Sequence, residues 1–438
     1  MFRCMNRKSE PIRQQGQARR KKTPRTRHAA FDAALRRQPA LALLEHSMRG
    51  RVPRLIQLKY QLMAASPFAY FRGAAPVMAA DLAALPNSGI ECQICGDAHV
   101  RNLGAYAAPD GRLVFDINDF DETVRAPFEW ELKRMAVSLV LAGRAAANKP
   151  AATRAAVQSC IAAYARLIDR LAAMPFLEVA HFQVHRIDLA RPVHMALLKA
   201  ERATPAHTLD QLTEPSGAKQ NAPRHFKTLK PTLTRVEGAD RAAVLQSLLP
   251  YMASLEPQRQ RLLGLYRPLD VAFKVVGTGS VGLRDYCVYL EGNGPADPLF
   301  LQIKEEADSA YAPYLAGAGT EHNGRRVVAG QRAMQVQTDP FLGSTQIAGR
   351  QYLVRQLNDH KGSIDIETLS GKNLVAYAEV CGELLARGHA RSGDPRLIAG
   401  YVGSGAVLAQ AIAKFAAAYA DQTEKDWEDL KRSGKGAA

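Results

Sequence analysis

The chain has 438 residues, enough for two or three packed units, and its 47% hydrophobic and 23% charged composition excludes wholesale disorder and collagen-like repeats. The net charge of +16 is uneven: residues 1–28 hold ten Lys or Arg against Glu10 alone, or +9, leaving a mild +7 over the rest. No stretch approaches the ~18 uninterrupted apolar residues of a membrane span, and Met1-Phe-Arg-Cys4 lacks a secretory apolar core, so a soluble protein is expected.

Residues 1–28 are expected to form a disordered, solvated basic tail, with a weak anionic partner as the alternative. Arg19-Arg20-Lys21-Lys22 has no interleaved aromatics on which bases could stack. From 29 to 65 the steps Leu41, Leu44, Met48 and Leu55, Leu58, Leu62 predict helix, broken at Pro39 and Pro53. Ser66-Pro67 stops that pattern before an aromatic cluster, Phe68, Tyr70 and Phe71, beside Arg72. These residues either pack beneath the loop that follows or line a substrate site.

Residues 89–122 read as short strands. Ile90, Cys92 and Ile94 alternate, and Asp110-Gly111 signals a hairpin before Leu113-Val-Phe115. Helix returns from Phe128 to about Ala147 and over 151–190, interrupted at Pro175. The aperiodic 200–240 stretch predicts a long loop or insertion. A β-rich unit begins near Val271, and helices are expected at 369–391 and 405–430. Six scattered cysteines fit reduced thiols and a cytoplasmic protein. Cys92-Gln-Ile-Cys95, followed by His99, has metal or redox spacing, but no second cysteine pair closes a zinc site.

Three constellations carry chemistry. Gly277-Thr-Gly279-Ser280-Val-Gly282 is followed by β-like residues rather than a helix, which argues against a dinucleotide fold. A Gly292-Asn293-Gly294 turn and Leu299–Lys304 come next, giving strand, glycine loop, strand, turn and strand ending in lysine. Glycines let backbone N–H groups approach phosphate oxygens, and Lys304 supplies a point charge. In the second, Gly96-Asp97-Ala-His99-Val-Arg-Asn102, four residues separate Asp97 from Asn102, the spacing of kinase catalytic loops in which the aspartate orients an attacking hydroxyl and the amide binds metal. The third is Asp116-Ile-Asn-Asp119-Phe-Asp121-Glu122, a carboxylate cluster at a strand end suited to Mg²⁺ beside nucleotide phosphates. Asp116 and Asp119 compete for the metal role; Asp119 sits in the better local pattern.

Ser66–Gly73, Cys95–His99, Phe115–Glu122, Phe128–Arg134, Val276–Gly282, Gly330–Arg332, Val354–Leu357 with Lys361–Ser363, His389–Asp394 and Tyr419–Gln422 resemble a bacterial family, domain of unknown function 2252, over roughly residues 40–430. Separately, the 96–102 loop and the Asp119-Phe-Asp121 strand resemble aminoglycoside phosphotransferase-like kinases. Glu131 stands where that group has an aspartate supporting its catalytic loop. The glycine loop follows the catalytic loop here instead of preceding it, so the resemblance implies a circular permutation. In it, a helix with Val327, Val328 and Gln331, strands at Phe341-Leu342 and Tyr352–Val354, a hinge at 358–363 and the helix Leu374–His389 complete the kinase order. Lys304's usual acidic partner is missing at Ala329; Glu305, Glu306 and Glu321 are the candidates.

The expectation is therefore an α+β, protein-kinase-like two-lobed fold, circularly permuted, with the β-rich nucleotide lobe C-terminal to the catalytic-loop segment. Its parts would be the tail 1–28, a catalytic-loop and helical lobe 29–265, a nucleotide lobe 266–358, and completing helices 359–438. The expected activity is ATP- and Mg²⁺-dependent transfer to an unidentified hydroxyl-bearing substrate. Asp97 and Lys304 would be catalytic, with Gly277, Gly279, Ser280, Gly282 and Lys304 on nucleotide. Asn102, Asp119, Asp121 and Asp116 would be on metal. AMP transfer in the same site, a non-catalytic nucleotide-binding module, and a metal or nucleic-acid binder using Cys92, Cys95, His99 and the tail are the alternatives.

Overall fold

Along Pro298–Glu305, Leu301 and Ile303 point to one side while Phe300, Gln302 and Lys304 point to the other, as a strand's period of two requires. That alternation organises the β-rich half. The computed structural model describes residues 3–184, 190–217, 223–275, 277–319, 321–357 and 361–436. In it this strand lies inside a six-stranded antiparallel sheet ordered Gly343–Ile347, Arg350–Gln356, Pro298–Glu305, Asp285–Glu291, Arg267–Lys274, Leu233–Arg235. Helices Gly238–Gln246, Leu248–Ala253 and Pro257–Leu263 cover the aliphatic face with Val244, Tyr251 and Leu263. The opposite face turns Lys304 toward the rest of the molecule.

The helical half is built around Phe128–Ala145, buried on nearly every side, which marks a core helix rather than an amphipathic one. Pro150–Ala173, Lys372–Ser392 and Ala406–Arg432 pack around it. Small residues set the spacing: a Cβ on Gly382 would lie 2.1 Å from the Cys160 carbonyl oxygen, so the two longest-contacting helices touch there backbone to backbone. Two small antiparallel sheets sit between the halves. Glu91–Ile94 pairs with Val124–Pro127, and the hairpin Leu103–Ala107/Leu113–Ile117 takes Gly362–Ser363 as a third strand. The expected Asp110-Gly111 turn closes that hairpin, with Gly111 at φ 81°.

The protein is thus mixed α+β with antiparallel sheets. Among the described residues no single helix is long and apolar enough to cross a membrane. One bent pair, Pro395–Val402 with Ala406–Arg432, passes on length and composition together, across an 81° break.

Two expectations need correction. The basic tail is not disordered: Arg3–Lys22 is a helix docked on Pro395–Val402. Gly16 and Gly400 let the backbones meet, since a Cβ on either would collide with the other helix's carbonyls. Arg20 and Arg25 then donate to the carbonyls of Tyr401 and Val402, the favourable place for cations at a helix C-terminus. The 200–240 segment is not a structureless loop either. It holds the end of helix Arg191–Arg202, helix Pro205–Leu212, the hairpin Thr213–Pro215/Arg224–Phe226 and strand Leu233–Arg235. Its residues 218–222, Val276 of the glycine motif, and 358–360 of the expected hinge lie outside the described residues.

Candidate active site

The carboxylate cluster divides at the end of strand Leu113–Ile117. Asp116 still obeys strand alternation and points into the helical core. There Arg387 grips both its oxygens at 2.5 and 2.7 Å, and only 3% of it is exposed. It is a structural ion pair, not a metal candidate, which corrects that expectation. Asp119 and Asp121 lie beyond the strand, on a turn that Arg326 of helix Asn323–Met334 holds by donating to the carbonyls of Asp121, Thr123 and Ala307.

Lys304 reaches this turn from 183 residues away, 2.5 Å from Asp121 and 3.7 Å from Asp119. Ser280 of the glycine turn donates to the same Asp121 oxygen at 2.9 Å. Burial disfavours the Lys304 ammonium, but Asp119 and Asp121 outweigh it and hold its pKa above the ordinary lysine value. Burial likewise opposes the Asp121 carboxylate, and Lys304, with hydrogen bonds from Asp119 and Ser280, holds its pKa low. Asp119 moves the other way, raised by burial and by Asp121, and its buried Oδ1 makes no hydrogen bond. The lysine's partner is therefore this turn, not a helix glutamate. Glu305 is bound by Arg284 and Arg350, while buried Glu306 nearby is pushed up by desolvation and by Asp121.

The 96–102 loop forms the next wall. Gly96 takes φ 82°, and a Cβ there would lie 2.1 Å from the Glu122 carbonyl oxygen, so only glycine joins the loop to the carboxylate turn. Its N–H donates to Glu131, whose other oxygen meets His389 at 2.7 Å. Glu131 thus supports the loop despite being longer than the expected aspartate. Arg134, fully buried, holds Asp97 Oδ1 at 2.5 Å and stacks on Phe71. Phe71 therefore packs beneath the loop, whereas Arg72 next to it reaches the cavity.

Asn102 donates its amide to the Asp97 carbonyl at 2.8 Å. His99 accepts from Arg101 N–H through Nδ1, and burial followed by the charges of Arg72, Arg134 and Arg101 outweighs Asp97 and depresses it to about 3. It is a neutral positioning group. Cys92 and Cys95 are buried, their thiols pushed well up by desolvation. Among the described residues no group of three or more His, Cys, Asp or Glu is arranged for a metal, so the cysteine–histidine site is not formed.

The glycine turn closes the roof. Gly277 and Gly282 take φ 37° and 93°. Its carbonyls are held by helix Pro53–Ala64 and the two residues before it: Lys59 to Gly279 at 2.6 Å, Arg51 to Val281 at 2.7 Å, and the Val52 N–H to Gly282 at 2.7 Å. These clamps, with Arg134 and Arg326, are not legible in the sequence, whereas the supporting role of Glu131 is. Trp130–Arg134 lay in a motif, but nothing in its spacing names Asp97 as the partner.

Asp97, Asn102, Asp119, Asp121, Gly277, Gly279 and Ser280 all border one cavity of about 610 Å³. A second of about 430 Å³, bordered by Lys304, shares Asp119, Gly277 and Ser280 with it. Gly282 shapes the roof without bordering either. No curated protein and no solved structure matches the chain. The family described as uncharacterised proteins conserved in bacteria matches residues 51–433, a span containing the loop, the carboxylate turn, the glycine turn and Lys304. The chain belongs to that family, domain of unknown function 2252.

Proposed function

We propose that the protein is an ATP- and Mg²⁺-dependent phosphotransferase acting on a hydroxyl-bearing acceptor, with a circularly permuted, protein-kinase-like two-lobed fold. The observation that carries this reading is the junction of Lys304, Asp121, Asp119 and Ser280, three chain segments meeting where two cavities join. The strand, glycine turn, strand, turn and lysine strand forming one antiparallel sheet supports the kinase-like layout.

The residues suit Mg²⁺. Hard carboxylates stand at the junction, and Asp119 presents a buried oxygen without a hydrogen bond. Two carboxylates and an amide are too few for a closed protein cage, but Mg²⁺ is commonly held by one or two carboxylates plus substrate phosphates. Asp119, Asp121 and Asn102 would hold the ion, which when bound neutralises charge on the phosphates. Asp97, fixed through Oδ1 by Arg134, uses Oδ2 to orient the acceptor hydroxyl. The acceptor oxygen forms its bond to the terminal phosphorus as the bond to the bridging oxygen breaks. The hydroxyl proton passes to Asp97, and the nucleoside diphosphate leaves with its charge met by Lys304.

Label transfer from ATP into candidate acceptors tests this, with wild type beside Asp97→Ala. The expected outcome is transfer of γ-label and a 10²–10⁴-fold slower variant that still binds nucleotide. Transfer of α-label instead would assign AMP transfer. Nucleotide binding without transfer to any acceptor would assign a regulatory module.

A further inference from the structure

The two cavities differ in charge. The larger mixes Asp97, Asp121, Glu306 and Asp308 with Arg49 and Arg72. The smaller gathers four cations, Lys274, Lys304, Arg355 and Lys361, around a single bordering carboxylate, Asp119. These cations come from separate elements: two strands' ends, a strand interior, and the segment leading into Gly362–Ser363.

Internal pairing does not account for them. Asp119 is already shared between Lys304 and Asp121. Arg355 donates to the Gln302 side chain and the Asn118 carbonyl, both neutral. Among the described residues no carboxylate lies within ion-pair distance of Lys274, Arg355 or Lys361. Asp285, behind Gln302, is raised to about 6 by burial, against the pull of Lys304, Lys274 and Arg355, and it faces these cations without bordering the cavity or pairing with Lys274 or Arg355. Desolvation, then Arg355, Lys304 and Lys274, outweigh the opposing charge of Asp119 and lower the Lys361 ammonium to about 8, although its surface is open to the cavity. A confined set of like charges focuses the field and selects a ligand of high opposite charge. The volume fits a small molecule rather than a macromolecule. Ala203, Leu212 and Leu357 also border this cavity, with His207, Thr208 and Gln211.

We infer that the smaller cavity is a polyphosphate seat, gripping the chain through Lys274, Lys304, Arg355 and Lys361 with its terminal phosphate at the Asp119–Ser280 junction. The larger cavity, with Asp97, is left to the acceptor. The terms donor and acceptor rest on the phosphotransferase reading, whereas capture of a polyphosphate by these four cations does not. The three apolar residues in the lining favour a chain carried by a nucleoside over a free one.

Calorimetric titration of the full chain with tripolyphosphate, ATP and adenosine, with and without Mg²⁺, tests the seat. The variants are Lys361→Met, Lys274→Met and, as a charge-matched control in the larger cavity, Arg49→Met. All three sites are at least partly exposed, and thermal melts establish that each variant is folded. Tripolyphosphate is expected to bind wild type, to weaken tenfold or more in each lysine variant, and to stay within twofold in Arg49→Met. Tighter binding of ATP identifies a nucleotide-borne chain, and equal binding a free polyphosphate; both uphold the seat.

Unchanged affinity in the lysine variants, equal loss in Arg49→Met, or no binding of either polyanion overturns it. Lysine-dependent binding without Asp97-dependent transfer keeps the seat and discards the phosphotransferase. Asp97-dependent transfer with undiminished lysine variants does the reverse.

Discussion

Asp116 and Asp119 stand three positions apart and do unrelated work. Asp116 belongs to the strand, so alternation sends it into the core, where Arg387 neutralises it. Asp119 is past the strand's end and borders both cavities. The local pattern around Asp119 was legible, and so was its advantage over Asp116. The reason for that advantage was not, because Arg387 lies 271 residues away. The same holds for Lys304, whose lysine-strand position was readable while its contact with Asp121 was not. Asp116→Ala leaves a buried guanidinium unpaired and should cost about 3–5 kcal/mol in urea unfolding while nucleotide affinity per folded molecule is unchanged. Weakened nucleotide binding with intact stability would return Asp116 to the site.

Elements were readable where one periodicity persists over many residues. The helices Phe128–Ala145, Lys372–Ser392 and Ala406–Arg432 sit where apolar steps of three and four placed them, and the glycine turn joins two strands as expected. Composition misled at the N-terminus, because Arg20 of Arg3–Lys22 is used on a distant helix's carbonyls and Gly16 on a close crossing. Between 200 and 240 the elements are too short for periodicity, and Leu209 and Phe226 are buried only against the sheet. The glycine turn is also clamped from outside by Arg51, Val52 and Lys59. Gly282→Ala would force a left-handed residue to carry a Cβ 3.0 Å from Arg51. A loss of about 1–2 kcal/mol and weaker nucleotide binding are expected. A variant that melts and binds like wild type would show the turn is not shaped by that residue.

At the scale of the whole molecule, the order of segments along the chain matters less than where they end. The helical half contributes Asp97 and Asn102, the sheet contributes Lys304 and the glycine turn, and the carboxylate turn stands between them. The sequence motifs named nearly every one of these residues, but the four-cation cavity was invisible. Arg355 and Lys361 sit in stretches of the family resemblance, but nothing there or around Lys274 marks them as one charge site, and they converge only in three dimensions. Thermal unfolding of the full chain with ATP, with and without Mg²⁺, tests the account most directly. A ligand bound only by the folded state stabilises it by about 2.7 kcal/mol at a hundredfold excess over Kd. The melting temperature is expected to rise with ATP concentration, and to rise further with Mg²⁺ in wild type but not in Asp119→Asn. A melting temperature indifferent to ATP and Mg²⁺ at every concentration would contradict it.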